Sequence, residues 1–470
     1  MGTTSEVVAA RQPGGGVPRG LALLVAGTLF MEILDGTILS TAAPPIARAL
    51  GVRSAEVGVC VTAYLLTVAV LIPLSGWVAD RLGARRTFVA AVAVFSVASL
   101  LCAASTSLAE LTAMRVLQGA GGAMMVPVGR LVVLRAVDRQ DMIRAIAYLT
   151  WPALVAPVVA PALGGLLTTY ASWHWIFLVN PPLGLVAAVV ALRVVPATEQ
   201  HDRSRLDWPG FLGSALSLGS LVGLAALLGE PRVRWPWVGA LTVVTAAAGA
   251  ATVRHLSRTE EPLLALSVLQ ERTFRSAHTG GSVFRAVMNA VPFLLPLMLQ
   301  DGFGWTPAQA GAVVLFVFVG NLGIKPLTTP MFRSLGFRVT LLLATVGGSL
   351  SVAACGLLTP STPFVVMAIV VMTSGAFRSI GLGAYNTLAF ADIDRTLMPR
   401  ANTLSATLQQ VAQGLGVAVG VMAISVGNVF VTGVSVYRLA FVLLAGLLAL
   451  ALLDTLALPR TAGDALRARP

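Results

Sequence analysis

The chain has 470 residues, of which 56% are hydrophobic and only 11% charged, with a formal net charge of +12. Its mean hydropathy is +0.85, whereas an ordinary globular domain carries roughly 25% charged residues. That composition excludes a soluble globular fold and reads as a membrane protein.

In chain order, the first twenty residues, MGTTSEVVAARQPGGGVPRG, are polar and lack an apolar core followed by a small-residue cleavage site. They read as a retained cytoplasmic tail over 1–20. From Leu21 to near Leu458, apolar runs of about 20 residues recur. Lipid offers no partner to bare backbone groups, so these runs must be helices. Hydropathy predicts about fourteen spans. The first six lie near 21–43, 57–79, 87–106, 108–132, 145–169 and 174–195, as an N-terminal unit over 21–195. Two more, near 208–229 and 235–256, fall in a linking segment over 196–275 and are the weakest as full spans. The last six lie near 276–300, 307–330, 338–358, 363–390, 400–427 and 436–458, a C-terminal unit over 276–458 before a tail at 459–470.

Arginine placement predicts the orientation. With the N-terminus inside, the inner segments hold Arg81, Arg85, Arg86, Arg139, Arg203, Arg205, Arg254, Arg258, Arg272, Arg275, Arg333, Arg338 and Arg400. The outer turns hold only Arg48, Arg53, Arg232, Arg234 and Arg438. The positive-inside rule then puts both termini in the cytoplasm. Basic loops beside anionic headgroups account for the net charge without nucleic acid. Cys60, Cys102 and Cys355 fall within predicted spans at no metal-ligand spacing, so neither a disulfide framework nor a metal centre is expected.

Two loops match each other. GWVADRLGARRT joins the second and third spans, and TPMFRSLGFRVT joins the tenth and eleventh. Superposing Gly83 on Gly336 brings Arg85 onto Arg338 and Thr87 onto Thr340. A duplicated six-helix unit fits, and internal repeats with a midplane site are the architecture of secondary transporters.

Gly76 to Arg86, GWVADRLGARR, resembles the cytoplasmic signature of the major facilitator superfamily. LDGTILSTAAPPI, LTAMRVLQGAGGAMM, APVVAPALGG and SWHWIFLVNPPLG, in the first, fourth, fifth and sixth spans, are similar to further family signatures. Together they resemble the fourteen-helix drug:proton antiporters of the EmrB/QacA type. The resemblance implies an all-α membrane fold of two six-helix bundles with two extra helices between them.

Each motif also has a physical reading. Gly83 permits a tight turn, Asp80 can accept hydrogen bonds from a helix N-terminus, and Arg85 and Arg86 can hold phosphates; Arg81 lies in the same stretch. With Gly76 they form an expected latch, which by resemblance stabilises the outward-open state. Ala156, Pro157, Ala160, Pro161, Gly164 and Gly165 recur at helical spacing, where small residues let backbones approach and proline bends the helix. The set resembles the antiporter signature that separates exporters from importers, although Ala160 stands where the family usually has glycine.

Within FMEILDGTILSTAAPPI, counted from near Ala43, Asp35 lies roughly 12 Å deep and Glu32 one turn deeper. Arg115, counted from Leu108, reaches a depth similar to Asp35, so the three are expected to share one cavity. Charges in the membrane interior cost about 3 kcal/mol even on lenient scales and mark pathways or relays. Desolvation and a nearby arginine pull on a carboxylate in opposite directions, so it can load and release protons as access alternates. Asp35 matches the family's first-span aspartate and Arg115 its fourth-span arginine; Glu32 departs from the family's usual uncharged polar residue. A static Asp35–Arg115 pair and a solvated Glu32 remain open at this point.

In the second half, Arg285 and Asn289 share a helix face, Arg378 lies deep in the twelfth span, and no acid does. Arg285, Asn289, Arg378 and Asn386 are therefore expected around a substrate cavity of low acidity that takes an anionic or neutral amphiphile. Gln118, Gln409, Gln410 and Gln413 read as packing groups, and Trp173, Trp175 and Trp305 as interfacial anchors. No GxxxxGK[ST] or HExxH segment is present, so an ATP-driven pump or membrane enzyme is not expected. The sequence thus points to a non-enzymatic, proton-coupled exporter of small amphiphiles in a bacterial plasma membrane. It needs protons but no cofactor and works as a monomer; a proton-coupled importer of the same fold is the alternative.

Overall fold

A computed structural model describes residues 19–135, 137, 142–196, 206–229, 234–394, 396–459 and 462. Both expected tails fall almost wholly outside these residues, as do Arg139, Arg203, Arg205 and Arg232. Fourteen long helices occupy the described residues: α1 Arg19–Leu50, α2 Gly58–Leu82, α3 Ala84–Ala104, α4 Leu108–Arg135, α5 Met142–Tyr170, α6 Asn180–Val194 and α7 Trp208–Gly229. They continue as α8 Trp235–Leu256, α9 Gly280–Leu297, α10 Pro307–Gly323, α11 Lys325–Gly356, α12 Phe364–Leu388, α13 Met398–Phe430 and α14 Val434–Ala457. Thirteen stretches are long and apolar enough to cross a membrane, and α10 is a shorter apolar helix.

The tenth and eleventh spans differ from expectation. The segment predicted over 307–330 breaks at Ile324, because Pro326, at the start of α11, lacks the amide hydrogen that would continue the helix. The true turn comes at Gly336 (φ 77°, ψ 165°), inside α11, which is two helices joined at a kink. Gly83, between α2 and α3, has φ 85° and ψ 138°. Both lie in a region open essentially to glycine alone.

The repeat extends to hydrogen bonds. Thr87 Oγ1 donates to Gly83 O at 3.0 Å, and Thr340 Oγ1 donates to Gly336 O at 2.7 Å. Arg85 donates to Leu192 O near the end of α6, and Arg338 donates to Leu456 O near the end of α14. Each arginine thus satisfies a carbonyl in the last turn of its own half, where a helix leaves acceptors open and favours positive charge. Arg85 is turned to protein rather than to phosphate, while Arg81 and Arg86 remain exposed. We call the end of the bundle holding these turns the basic end.

α1 packs on α5, α2 and α3 on α4, and α3 on α6; α11 packs on α12 and α14, and α9 on α13. The halves meet chiefly where α5 packs on α10 and α2 on α13. At the far end they are pinned by Gln300 Nε2 donating to Thr41 O at 2.9 Å and Ala308 N donating to Thr169 Oγ1 at 3.0 Å. The two intervening segments are full helices. Only 6% of α8's apolar stretch is buried, against 78% around α9, so α8 lies at the periphery and α9 at the centre. Trp173, expected at an interface, is instead buried, its ring 6.3 Å from that of Phe177, because its loop folds into the bundle. Cys60, Cys102 and Cys355 are buried free thiols.

Asp207 clasps the α7–α8 pair. It accepts from Gly210 N at 2.9 Å and Leu263 N at 3.1 Å, and pairs with His255 Nε2 at 2.7 Å. Desolvation pushes its carboxyl up, but these bonds outweigh that and hold it below its ordinary value. Its stabilisation is therefore present above the ordinary carboxylate range and lost as pH falls below it. Asp207→Asn should flatten the acid limb of a melting-temperature profile in detergent between pH 7 and about 3; an unchanged limb would refute the clasp. Gly83→Ala and Gly336→Ala should each cost about 1–3 kcal/mol. Gly446→Ala, whose added Cβ meets nothing within 4 Å, should leave the melting temperature unchanged or raise it.

Candidate functional site

Polar side chains from α1, α3, α4 and α6 meet around Asp35. Arg115 Nη1 donates to Asp35 Oδ2 at 2.5 Å, while Gln118 Nε2 and Asn180 Nδ2 donate to Oδ1 at 2.9 and 2.8 Å. Ser99 Oγ accepts from the same two amides at 2.7 and 3.3 Å. Asp35, Arg115, Gln118, Asn180 and Ser99 are all buried. Nε and Nη2 of Arg115 have no hydrogen-bond partner. Its guanidinium instead stands 4.2 Å from the Tyr64 ring centroid and 5.9 Å from that of Phe177, an attraction worth about 2 kcal/mol when desolvated.

Local sequence explains the convergence. Arg115 and Gln118 are three apart on α4 and share a face. Asn180 opens α6, followed by two prolines that suit a helix start. A Cβ at Gly119 would sit 2.9 Å from Tyr64 O, and one at Gly121 2.7 Å from Phe95 N. These glycines let α4 close on α2 and α3.

Glu32 and Asp35 part company. Three residues along a helix rotate about 300°, so side chains three apart diverge by about 60°. Asp35 turns into the buried cluster, and Glu32 faces a cavity of about 930 Å³. Tyr64 stands between them: it lines the cavity, and Arg115 lies over its ring. A Cβ at Gly122 would come 3.0 Å from Tyr64 Oη and 3.3 Å from Glu32 Oε1, so that glycine makes their space. The expectation that Glu32, Asp35 and Arg115 share one cavity is thus corrected, because helix rotation puts a tyrosine between them.

The cavity opens at the basic end, where the lining residues Gly76, Arg130 and Asn402 are exposed. On the other half its wall includes Asn289, Phe318 and Arg378. Arg378 donates to Met288 O at 3.2 Å and to Asn289 Oδ1 at 2.9 Å. Arg285 and Asn386, expected in this wall, are not among its lining residues; Arg285 is buried, and its Nη2 donates to Oδ1 of the exposed Asn386 at 2.7 Å. That bond ties the Arg285 side chain of α9 to α12. Gln409, Gln410 and Gln413, read as packing groups, line the cavity instead. They recur on the face of α13 that the opening leaves without a helix partner.

α5 carries one of the two main contacts between halves. Ala156 and Ala160 are buried, Gly164 packs on Ile38, and Pro157 lines the cavity. A Cβ at Gly165 would meet Pro307 O, and one at Gly311 would meet Pro161 O, so α5 and α10 touch backbone to backbone. Asn180, Tyr64, Ser99 and Gly122 were not singled out by sequence. Asn180 did lie inside the quoted SWHWIFLVNPPLG and Gly122 inside LTAMRVLQGAGGAMM.

The sequence profile of the Major Facilitator Superfamily matches residues 25–420. The chain is 37% identical over 398 residues to a putative multidrug resistance protein MdtD of Pectobacterium carotovorum subsp. carotovorum, covering 84% of this chain and 85% of the relative. It is likewise 37% identical over 410 residues to the MdtD protein of Salmonella typhimurium, covering 85% of each. Among solved structures, a POT family transporter in complex with 5-aminolevulinic acid superposes with a TM-score of 0.71 at 14% identity, over 95% of this chain and 97% of that one. A D-xylose–proton symporter gives 0.66 at 14% identity, over 95% and 99%. At such identities these two share the fold.

Removing one partner of a buried ion pair costs about 3–5 kcal/mol, because the other charge is left bare. Asp35→Asn should therefore lower the melting temperature sharply, and Asp35→Asn combined with Arg115→Gln should restore part of the loss. An Asp35→Asn protein as stable as wild type would show that the pair does not hold these helices.

Proposed function

The chain belongs to the major facilitator superfamily, and we propose that it is a drug:proton antiporter exporting small amphiphiles from a bacterial cell. The carrying observation is a cavity open at the basic end, pinned shut at the far end, with Glu32 in its wall and the Asp35 cluster one tyrosine behind. Its relatives named multidrug resistance proteins support the export of amphiphiles. The arginine-rich turns support a cytoplasmic basic end, with both termini inside, so the arrangement described is the inward-open state.

Export then proceeds by rocking one half against the other. In the inward-open state a substrate enters between α1, α2, α4 and the α12–α13 wall. Glu32, in contact with the cavity, exchanges a proton with each side as access alternates. Asp35, with Arg115 across the Tyr64 ring, senses that exchange electrostatically and fixes how α1 sits on α4. The far-end bonds of Thr41 with Gln300 and of Thr169 with Ala308 must break for the outward state, while Gly76, Asp80, Arg81, Gly83, Arg85 and Arg86 stabilise it at the basic end. Protons serve as the coupling ion, no cofactor is needed, and a monomer suffices.

Proteoliposomes under an imposed pH gradient test this. Aryl-alkyl ammonium and carboxylate compounds are added to wild type, Glu32→Gln and Asp35→Asn, and proton release and substrate movement are followed together. Wild type should move substrate against the proton flow, and Glu32→Gln should bind substrate yet release no protons. Substrate moving with the protons would make the protein an importer. Coupling intact in both variants would place the proton site elsewhere.

A further inference from the structure

Two ionisable groups in the cavity wall lack a counter-ion. Among the described residues, neither Glu32 nor Arg378 is in an ion pair. Arg378 is held only by neutral acceptors, Met288 O and Asn289 Oδ1, with its Nε unpartnered and its guanidinium 5.5 Å from the Phe318 centroid. Arg285 is also paired with a neutral group, Asn386. The groups acting on Glu32 are Arg130 at the exposed mouth, Asp35, already bonded to Arg115, and the neighbouring Tyr64 hydroxyl.

Glu32 and Arg378 also lie at matching depths on opposite halves. Counted from Arg19, Glu32 is about 20 Å from the basic end of α1, and counted from Leu388, Arg378 is about 15 Å from that of α12. The difference is less than one helical turn, and both border the same cavity. Between them run the amides of Gln409, Gln410 and Gln413, and apolar wall from Ile33, Leu65, Pro292 and Phe318. Bare charges inside a membrane are costly and persist where something neutralises them in use.

We propose that the cavity is a two-point site for zwitterionic amphiphiles, whose cationic group meets Glu32 and whose anionic group meets Arg378 across the boundary between the halves. This rests on the exporter reading and names its substrate class. A simple cation leaves Arg378 bare and meets repulsion from it; a simple anion leaves the Glu32 proton in place and makes no use of that carboxyl. The zwitterion pairs with Arg378 and, taking the place of a proton, with the Glu32 carboxylate, and its apolar body lies on Phe318 and Pro292. Its cationic group displaces the proton held by the Glu32 carboxyl, which leaves to water at the open mouth. Because one ligand then touches both halves, its binding is sensitive to how they are set relative to each other.

The test is binding to the full chain in lipid nanodiscs, by calorimetry, of three compounds with matched aromatic tails: phenylbutyl trimethylammonium, phenylpentanoate and phenylbutyl dimethylglycine betaine. The wild-type protein should bind the betaine at least about tenfold more tightly than either other compound, the scale of one hydrogen bond to a charged group. Glu32→Gln should remove that advantage and weaken the cation while sparing the anion. Arg378→Gln should remove it and weaken the anion while leaving the cation bound as tightly or more tightly, and Arg378→Lys should keep part of it. A wild-type protein that binds the betaine no better than the better of the other two overturns the proposal, even if a variant fails to fold. Equal losses for all three compounds in either variant overturn it as well. Proton release in proteoliposomes is read separately: betaine binding with this pattern but without counter-movement of protons leaves the two-point site standing and removes the exporter reading. Transport of another compound without betaine preference does the reverse.

Discussion

The N-terminal half is organised by a carboxylate that cannot be left alone. Asp35 is buried in the membrane interior, and a bare charge there is costly. Arg115, Gln118 and Asn180 bring donors from α4 and α6, and Ser99 of α3 accepts the hydrogens those amides have left. One side chain thus sets the relative placement of four helices. Hydrophobic burial gives little orientation in lipid, because tails are as apolar as leucine. A polar cluster with fixed geometry supplies that missing specificity.

A second constraint is how closely the halves approach. On one side α5 and α10 meet through Gly165 and Gly311, where backbone lies on backbone. On the other, α2 and α13 meet with Gly58 and Gly414 accepting neighbouring side chains and Thr62 bonded to Gly414 O at 3.3 Å. Both seams are therefore close contacts made possible by small residues. Within each half, Arg85 and Arg338 fasten the third helix of each repeat to the last, as Leu192 and Leu456 carbonyls receive them. Halves fastened within themselves and meeting along glycine-lined seams fit a rocking motion.

Much of this was legible in the sequence, for physical reasons that can be named. The helices follow from apolar length, and the repeat from Gly83 and Gly336, because a backbone geometry open only to glycine leaves a mark in the residue itself. Asp35 and Arg115 were visible because charge in an apolar run is rare. What stayed hidden depended on rotation rather than depth. Counting residues placed Glu32 and Asp35 on one wall, and the 60° between them put Tyr64 in the gap. Arg285 and Arg378 looked equivalent along the chain, yet only Arg378 lines the opening, while Arg285 is buried and bonded to Asn386. The break at Ile324 was signalled by Pro326, but the apolar run across it masked the signal.

The three cysteines carry a consequence of their own. Cys60 lies 3.3 Å from the Thr112 hydroxyl, one helical turn from Arg115, and Cys102 lies 3.8 Å from the Gln118 carbonyl oxygen. Both thiols sit against the Asp35 cluster and are shielded from any reagent while that cluster is closed. Their alkylation rate is therefore a built-in clock for local opening. With Cys355 of α11, which lies in the other half, replaced, that rate counts how often the four helices part. The same shielding leaves the surface free of native thiols among the described residues, so a cysteine placed at the exposed mouth would report on access alone.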